Sequence, residues 1–206
     1  YKDFREEETE SKFPEIVKNI ALIYAQMGDD DKAMKAVQEA RKSSPNDINL
    51  ILTEANIYIQ LGEKVKFQEL MNQAIAQDPN NPGLFYNLAV VTSDLGDKNS
   101  ARAYYEKAIE LDPNYQNAYL NLVALILEGE QQIVEEMNSL GTSSKDNARY
   151  DMLKLEREKL YKECVPILKK LIYIEKNEDA IKTLMNIYGT IGNNEGFKEM
   201  KALLSD

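Results

Sequence analysis

Histidine and tryptophan are absent from this 206-residue chain, and cysteine occurs once, at position 164. The lack of histidine removes the side chain most often used as a general base and as a metal ligand. A single cysteine rules out any disulfide within the chain, so cysteine usage leaves the redox compartment open. No run approaches the roughly 18 apolar residues that a membrane-spanning helix requires. No glycine-rich phosphate loop occurs either. Positive charge is also in deficit: 25 Lys and Arg stand against 35 Asp and Glu, a formal net charge of −10. Nucleic acid and anionic membrane surfaces are therefore poor partners on electrostatic grounds. These absences argue against an enzyme, and neither a cofactor nor a metal ion is expected.

What is present is a period. Gly28, Gly62 and Gly96 are 34 residues apart, as are Pro45, Pro79 and Pro113, and Ala40, Ala74 and Ala108. Such self-similarity marks stacked helix–turn–helix units, whose repeats build binding surfaces more readily than catalytic pockets. Each glycine supplies the positive φ that ends a first helix. The acidic residues that follow, Asp29 to Asp31, Glu63 and Asp97, sit where a second helix begins and negative charge is favoured; that placement accounts for the Asp29–Asp31 run without a cation. Each proline restrains the residue before it and closes the second helix.

The units resemble tetratricopeptide repeats. Setting each glycine as the fifteenth residue gives repeats at 14–47, 48–81 and 82–115. Small residues fill the eighth position (Ala21, Ala55, Ala89) and the twenty-seventh, and Ala33 and Ala101 fill the twentieth, where Phe67 departs. Large apolar plugs stand at Val17, Ile51 and Phe85. The expected fold class is all-α, a right-handed α-solenoid of helix–turn–helix units.

A fourth repeat, 116–177, begins on schedule with Tyr119, Leu122 and Val123, yet its second helix is displaced by about 29 residues to the neighbourhood of Cys164, Leu168 and Leu171. The inserted stretch, around 131–159, is itself helical in pattern, with Ile133, Val134 and Met137 continuing the first helix and Leu140–Ser144 forming a turn. A long helical hairpin follows, reaching about 20 Å beyond the repeats. It serves either as a partner-binding arm or as a brace over the concave face. Pro166 should kink or break the returning helix near Lys162–Pro166. Cys164 occupies a small-residue position, which makes it a packing thiol. Lys176 stands where a proline would close the second helix, so a longer helix is possible there. Residues 178–206 form a fifth, capping repeat, and the charged residues 1–13, which fit no complete repeat, are expected to be the remnant of a preceding repeat or a disordered lead. The chain opens on Tyr1, so an upstream segment is expected, where any signal peptide or lipid anchor would lie.

The resemblance implies a concave groove lined by the second, fifth, ninth and twelfth residues of each first helix. Those include Lys18 and Leu22; Asn49, Leu52, Asn56 and Ile59; Tyr86 and Val90; and Asn117, Leu120, Ala124 and Leu127. Chaperone-binding members clamp a C-terminal carboxylate with lysines, asparagines and an arginine. Lys18 and Asn56 match that set, but Leu22, Tyr86 and Val90 stand where other members of it belong, so the clamp is absent. The groove is instead apolar, suited to an amphipathic helix or to a segment of the chain itself. The expected function is a non-catalytic scaffold that binds another protein or peptide. A ligand-responsive regulator and a targeting subunit of an enzyme complex are the alternatives. The insertion and Val165-Pro166-Ile167-Leu168 are similar to those of uncharacterised bacterial tetratricopeptide proteins. That likeness implies a bacterial protein, with the cell envelope favoured and the cytoplasm open.

Overall fold

The structure, a computed structural model, describes residues 16, 17, 19–21, 23, 24 and 27–205. Lys18 and Leu22, and all of residues 1–15, lie outside the described residues. Among the described residues every regular element is helical. Residues 16, 17, 19–21, 23 and 24 belong to a first helix. It is followed by α1 (Asp30–Ser43), α2 (Ile48–Gln60), α3 (Lys64–Gln77), α4 (Pro82–Asp94) and α5 (Lys98–Leu111). Then come α6 (Gln116–Leu127), α7 (Glu130–Ser139), α8 (Ser144–Ile174), α9 (Glu178–Thr190) and α10 (Asn194–Leu203). The helices follow one another as helix–turn–helix units of the α-solenoid type. Two compact units divide the chain, one ending at Tyr104 and the other beginning at Tyr105, inside α5.

The same turn closes four first helices. Gly28, Gly62, Gly96 and Gly192 take φ of 74°, 76°, 86° and 75°. The residue after each glycine then donates its N–H to a carbonyl five residues back: Asp29 to Tyr24, Glu63 to Tyr58, Asp97 to Thr92 and Asn193 to Tyr188. This is the Schellman closure, which satisfies carbonyls that a helix end leaves bare. The second helix starts at once. Asp29 accepts from the Lys32 N–H, Asp97 from Ser100 and Asn193 from Gly196, whereas Glu63 makes no such bond.

Small residues let the helices of each pair approach. Ala21, Ala33, Ala55, Ala74, Ala89, Ala101 and Ala108 are all fully buried, and Cys164 is sealed in the equivalent place in the fourth repeat. In the first unit Ile51, Ala55, Phe67, Leu70, Met71 and Ala74 pack with Leu84, Leu88 and Val91 into one cluster. Phe67 is thus accommodated where its neighbours have alanine. The second helices α1, α3 and α5 stop two residues before Pro45, Pro79 and Pro113. Helix α8 also stops two residues before Lys176, although no proline is there. Glu175 turns to extended backbone and Asn177 caps α9 by accepting from Ala180. The longer helix that the missing proline would allow does not form, because the cap of the following helix fixes the same boundary.

The fourth repeat departs from the expected course in two ways. The first arm is not one helix: α6 ends at Leu127 and α7 begins at Glu130. Gly129 has φ −77°, so the chain stays right-handed and resumes a helix instead of reversing. The second departure is at Pro166, which sits inside α8 without ending it. Pro166 and Lys162 are both exposed, so the Lys162 carbonyl deprived of a donor can turn to water. A helix of 31 residues, about 46 Å long, results.

Helices α6 and α7 both pack along α8. Gln116 meets Glu175, Glu130 meets Arg157 and Tyr161, and Glu136 meets Arg149, so numbers fall along one arm as they climb along the other. The arms are therefore antiparallel. At the tip, Ser143 and Asp146 exchange bonds in a capping box that starts α8. In the last repeat Ile181, Leu184 and Tyr188 are buried under α10. A Cβ on Gly196 would stand 2.5 Å from the Tyr188 ring, so only glycine lets these two helices close.

Candidate protein-interaction surface

Charge is distributed unevenly between first and second helices. Helices α2, α4 and α6 carry just two acidic residues, Glu54 and Asp94, and no basic one, whereas α1, α3 and α5 are rich in Lys, Arg and Glu. Helix α2 disposes of its one charge inward. Glu54, 7% exposed, pairs with Arg41 of α1. The same guanidinium donates to Gln73 of α3 at 2.9 Å and to the Pro45 carbonyl at 3.2 Å. Gln38 adds a long bond of 3.4 Å to the Tyr58 hydroxyl. Asp94, at the end of α4, is met by Lys64 at 3.1 Å. The remaining open face of these first helices is uncharged.

On that face the first unit presents Asn49 and Asn56, both exposed, and Leu52, Ile59, Tyr86 and Val90, all half-buried. Leu52 and Ile59 lean on the buried cluster beneath them. They are rim residues, held in place by the core and open on one side. Asp47 and Asn81 fix where the helices begin by capping Asn49 and Leu50 at one end and Gly83 at the other. In the second unit α6 presents exposed Asn117 and Ala124, with Leu120 and Leu127 half-buried. The described groove residues thus share one character in both units: apolar side chains rooted in the packing, interrupted by amides and small residues.

The insertion carries its own electrostatics. Arg157 donates through two nitrogens to Glu130, and the Tyr161 hydroxyl bonds the same carboxylate. Burial, aided by that carboxylate, pushes the Tyr161 hydroxyl up to about 12. Further out, Arg149 grips Glu136 at 2.6 and 2.9 Å, and this bond holds the Glu136 carboxyl below its usual range. Beside Arg157 lies a recess of about 120 Å³ walled by Met137, Tyr150, Tyr161 and Ile191. Sequence reasoning had not placed Arg41, Glu54 or the Glu130–Arg157–Tyr161 cluster. The one signal for Glu54 was its isolation in an apolar helix. Among the described residues no group of His, Cys, Asp and Glu is arranged to hold a metal ion, and no helix is long and apolar enough to cross a membrane.

Two tetratricopeptide-repeat family models match the chain, over residues 24–89 and 82–115. They meet the structure at the repeated turns and alanine contacts described above. Residues 24–115 are tetratricopeptide repeats. Solved tetratricopeptide proteins share the chain's fold. A MamA protein superposes with a TM-score of 0.64 at 19% identity, covering 95% of this chain and 92% of its own. A tetratricopeptide repeat protein from Parabacteroides merdae gives 0.53 at 17% identity, over 93% and 79%. The first repeat domain of Spaghetti (RPAP3), solved bound to an HSP90 peptide, gives 0.50 at 20% identity over 54% of this chain and 89% of that one. No curated protein matches the sequence. The tetratricopeptide repeats support a protein-interaction scaffold, and proteins of that family are generally not catalysts.

Proposed function

We propose that the uncharged open face within each unit, that of α2 and α4 in the first and that of α6 in the second, holds an amphipathic helix or an extended apolar peptide from a partner protein. One observation carries the reading: the first helices keep apolar rim residues half-open while excluding charge from that face. Apolar area removed from water is worth about 25 cal/mol per Å², and the amides of Asn49, Asn56 and Asn117 offer donors and acceptors to a peptide backbone. The chaperone-type alternative is disfavoured. Tyr86 and Val90, both uncharged, stand at groove positions where a carboxylate clamp needs polar or cationic donors.

The test is capture of a specific partner by the wild type and by two double variants, Leu52→Glu/Tyr86→Glu and Leu120→Glu/Leu127→Glu. Each variant charges the face of one unit. Loss of the partner from either, with helical circular dichroism unchanged, locates the binding face. Retention by both would move binding to the hairpin or to the second helices and sink the proposal.

A further inference from the structure

Several exposed apolar side chains have a local reason. Met27, Leu61, Leu95 and Ile191 each stand directly before a repeat glycine and recur with that turn. Met152 and Leu155, 55% and 65% exposed, share no such place, for both lie well inside α8. The face they occupy is regular. Lys145, Ala148, Met152, Leu155, Lys159 and Lys162 follow one another in alternating steps of three and four residues, and all of them are exposed. That alternation averages 3.5 residues, the period of a seam between two packed helices. Helix α8 buries Leu153, Tyr161, Cys164, Leu168 and Leu171, none of them on this stripe. The stripe therefore is not the face that holds the fold together. It has an apolar centre and cationic ends, and it carries no acidic residue. Among the described residues Lys145 and Lys159 have no ion-pair partner, and Lys162 reaches only Glu158, at 3.9 Å.

We propose that this stripe seats an acidic amphipathic helix of a partner protein, with apolar residues against Ala148, Met152 and Leu155 and with Glu or Asp against Lys145, Lys159 and Lys162. Charge complementarity selects the occupant. Lysine stems lie along apolar area while their ammonium heads reach for a carboxylate, and opposite charges at the ends of a seam fix its register. A second copy of the chain does not fit. An antiparallel pairing of two stripes about Met152 sets Lys145 against Lys159, and an in-register parallel pairing sets each lysine against itself. An anionic lipid surface is disfavoured by the net charge of −10. No residue of α8 belongs to the groove, so this proposal stands independently of the groove reading.

The probe is a stapled, fluorescent helical peptide of about three heptads, with alanine and leucine at its central seam positions and glutamate at the terminal ones. A twin carries lysine at those terminal positions. Each is titrated with the full chain and followed by anisotropy. The glutamate peptide should bind saturably, lose affinity as salt rises, and weaken about tenfold or more in Met152→Glu/Leu155→Glu, a loss of the size seen for central interface residues. The lysine twin should bind the unaltered chain far more weakly. In Lys145→Glu/Lys159→Glu, which alters only exposed side chains, the preference should reverse towards the lysine twin. Equal binding of the two peptides, no binding of either, or a preference unchanged by the charge reversal would overturn the proposal. So would binding of the chain to phosphatidylserine vesicles that is lost in Met152→Glu/Leu155→Glu, which would give the stripe to a lipid surface.

Discussion

In the unit that ends at Tyr104, a glycine at positive φ stops each first helix and sends the chain back; in the unit that begins at Tyr105, Gly129 after α6 stays at φ −77° and the chain goes on. Residue type is the same, and the sign of one dihedral separates a repeat from an insertion. The units also differ in how they bind charge to structure. The first sinks an ion pair, Arg41 with Glu54, whose side chains are 18% and 9% exposed. The second strings its pairs along the hairpin surface, as in Arg149 with Glu136 at 38% and 43%. Regular stacking encloses a pair more fully than the two-helix arm, whose deepest pair, Arg157 with Glu130, keeps 25% and 24% exposed.

The sharpest way to break this comparison is to remove one partner from each pair. Glu54→Ala should cost about 3 kcal/mol or more, since it strands the Arg41 guanidinium with little water to replace its partner. Glu136→Ala should cost much less, because water screens a pair this open to solvent. Urea denaturation of the two variants checks the ranking, and equal losses would show that exposure does not govern these pairs. Next in size are the glycines. Gly62→Ala should destabilise by about 1–2 kcal/mol because a Cβ is disfavoured in left-handed backbone. Gly129→Ala, with open space around its Cβ and right-handed backbone, should be neutral or stabilise by up to about 1 kcal/mol. A loss at Gly129 matching that at Gly62 would dismiss the dihedral as the distinction.

The smallest effect is in pH. Tyr161 has a folded-state value raised to about 12 against an ordinary 10, so its neutral form is the one the fold favours. The stability it contributes is complete below pH 10 and is lost as pH climbs through 12. Tyr161→Phe should flatten that part of the alkaline denaturation profile of the second unit. A profile unchanged by the substitution would remove Tyr161 from the account.

The regular repeats were legible because glycine, alanine and proline each answer a local requirement that recurs at fixed spacing. The end of α8 shows the limit of that reasoning. No proline stands at Lys176, yet the helix stops in register, since the cap at Asn177 belongs to the next helix. Pro166 does not break α8, since that outcome depends on the surroundings of the packed arm rather than on the dipeptide. The Arg41–Glu54 pair joins residues 13 apart on different helices, and its enclosure arises only when the repeats stack. For the interaction surface, the uncharged character of α2, α4 and α6 could be read directly. The exposure of Ile16 and Ile23 could not, because they share apolar character with their buried equivalents Leu50, Leu84, Ile57 and Val91.

Cys164 has a use that follows from its isolation. It is the chain's sole thiol, is fully buried within the sequence of the second unit, and has no counterpart before Tyr105. A thiol-reactive reagent therefore acts as a clock for openings of that unit alone. Comparing its labelling rate with amide exchange in α2 and α4 would tell whether the two halves of the molecule breathe together or on separate timetables.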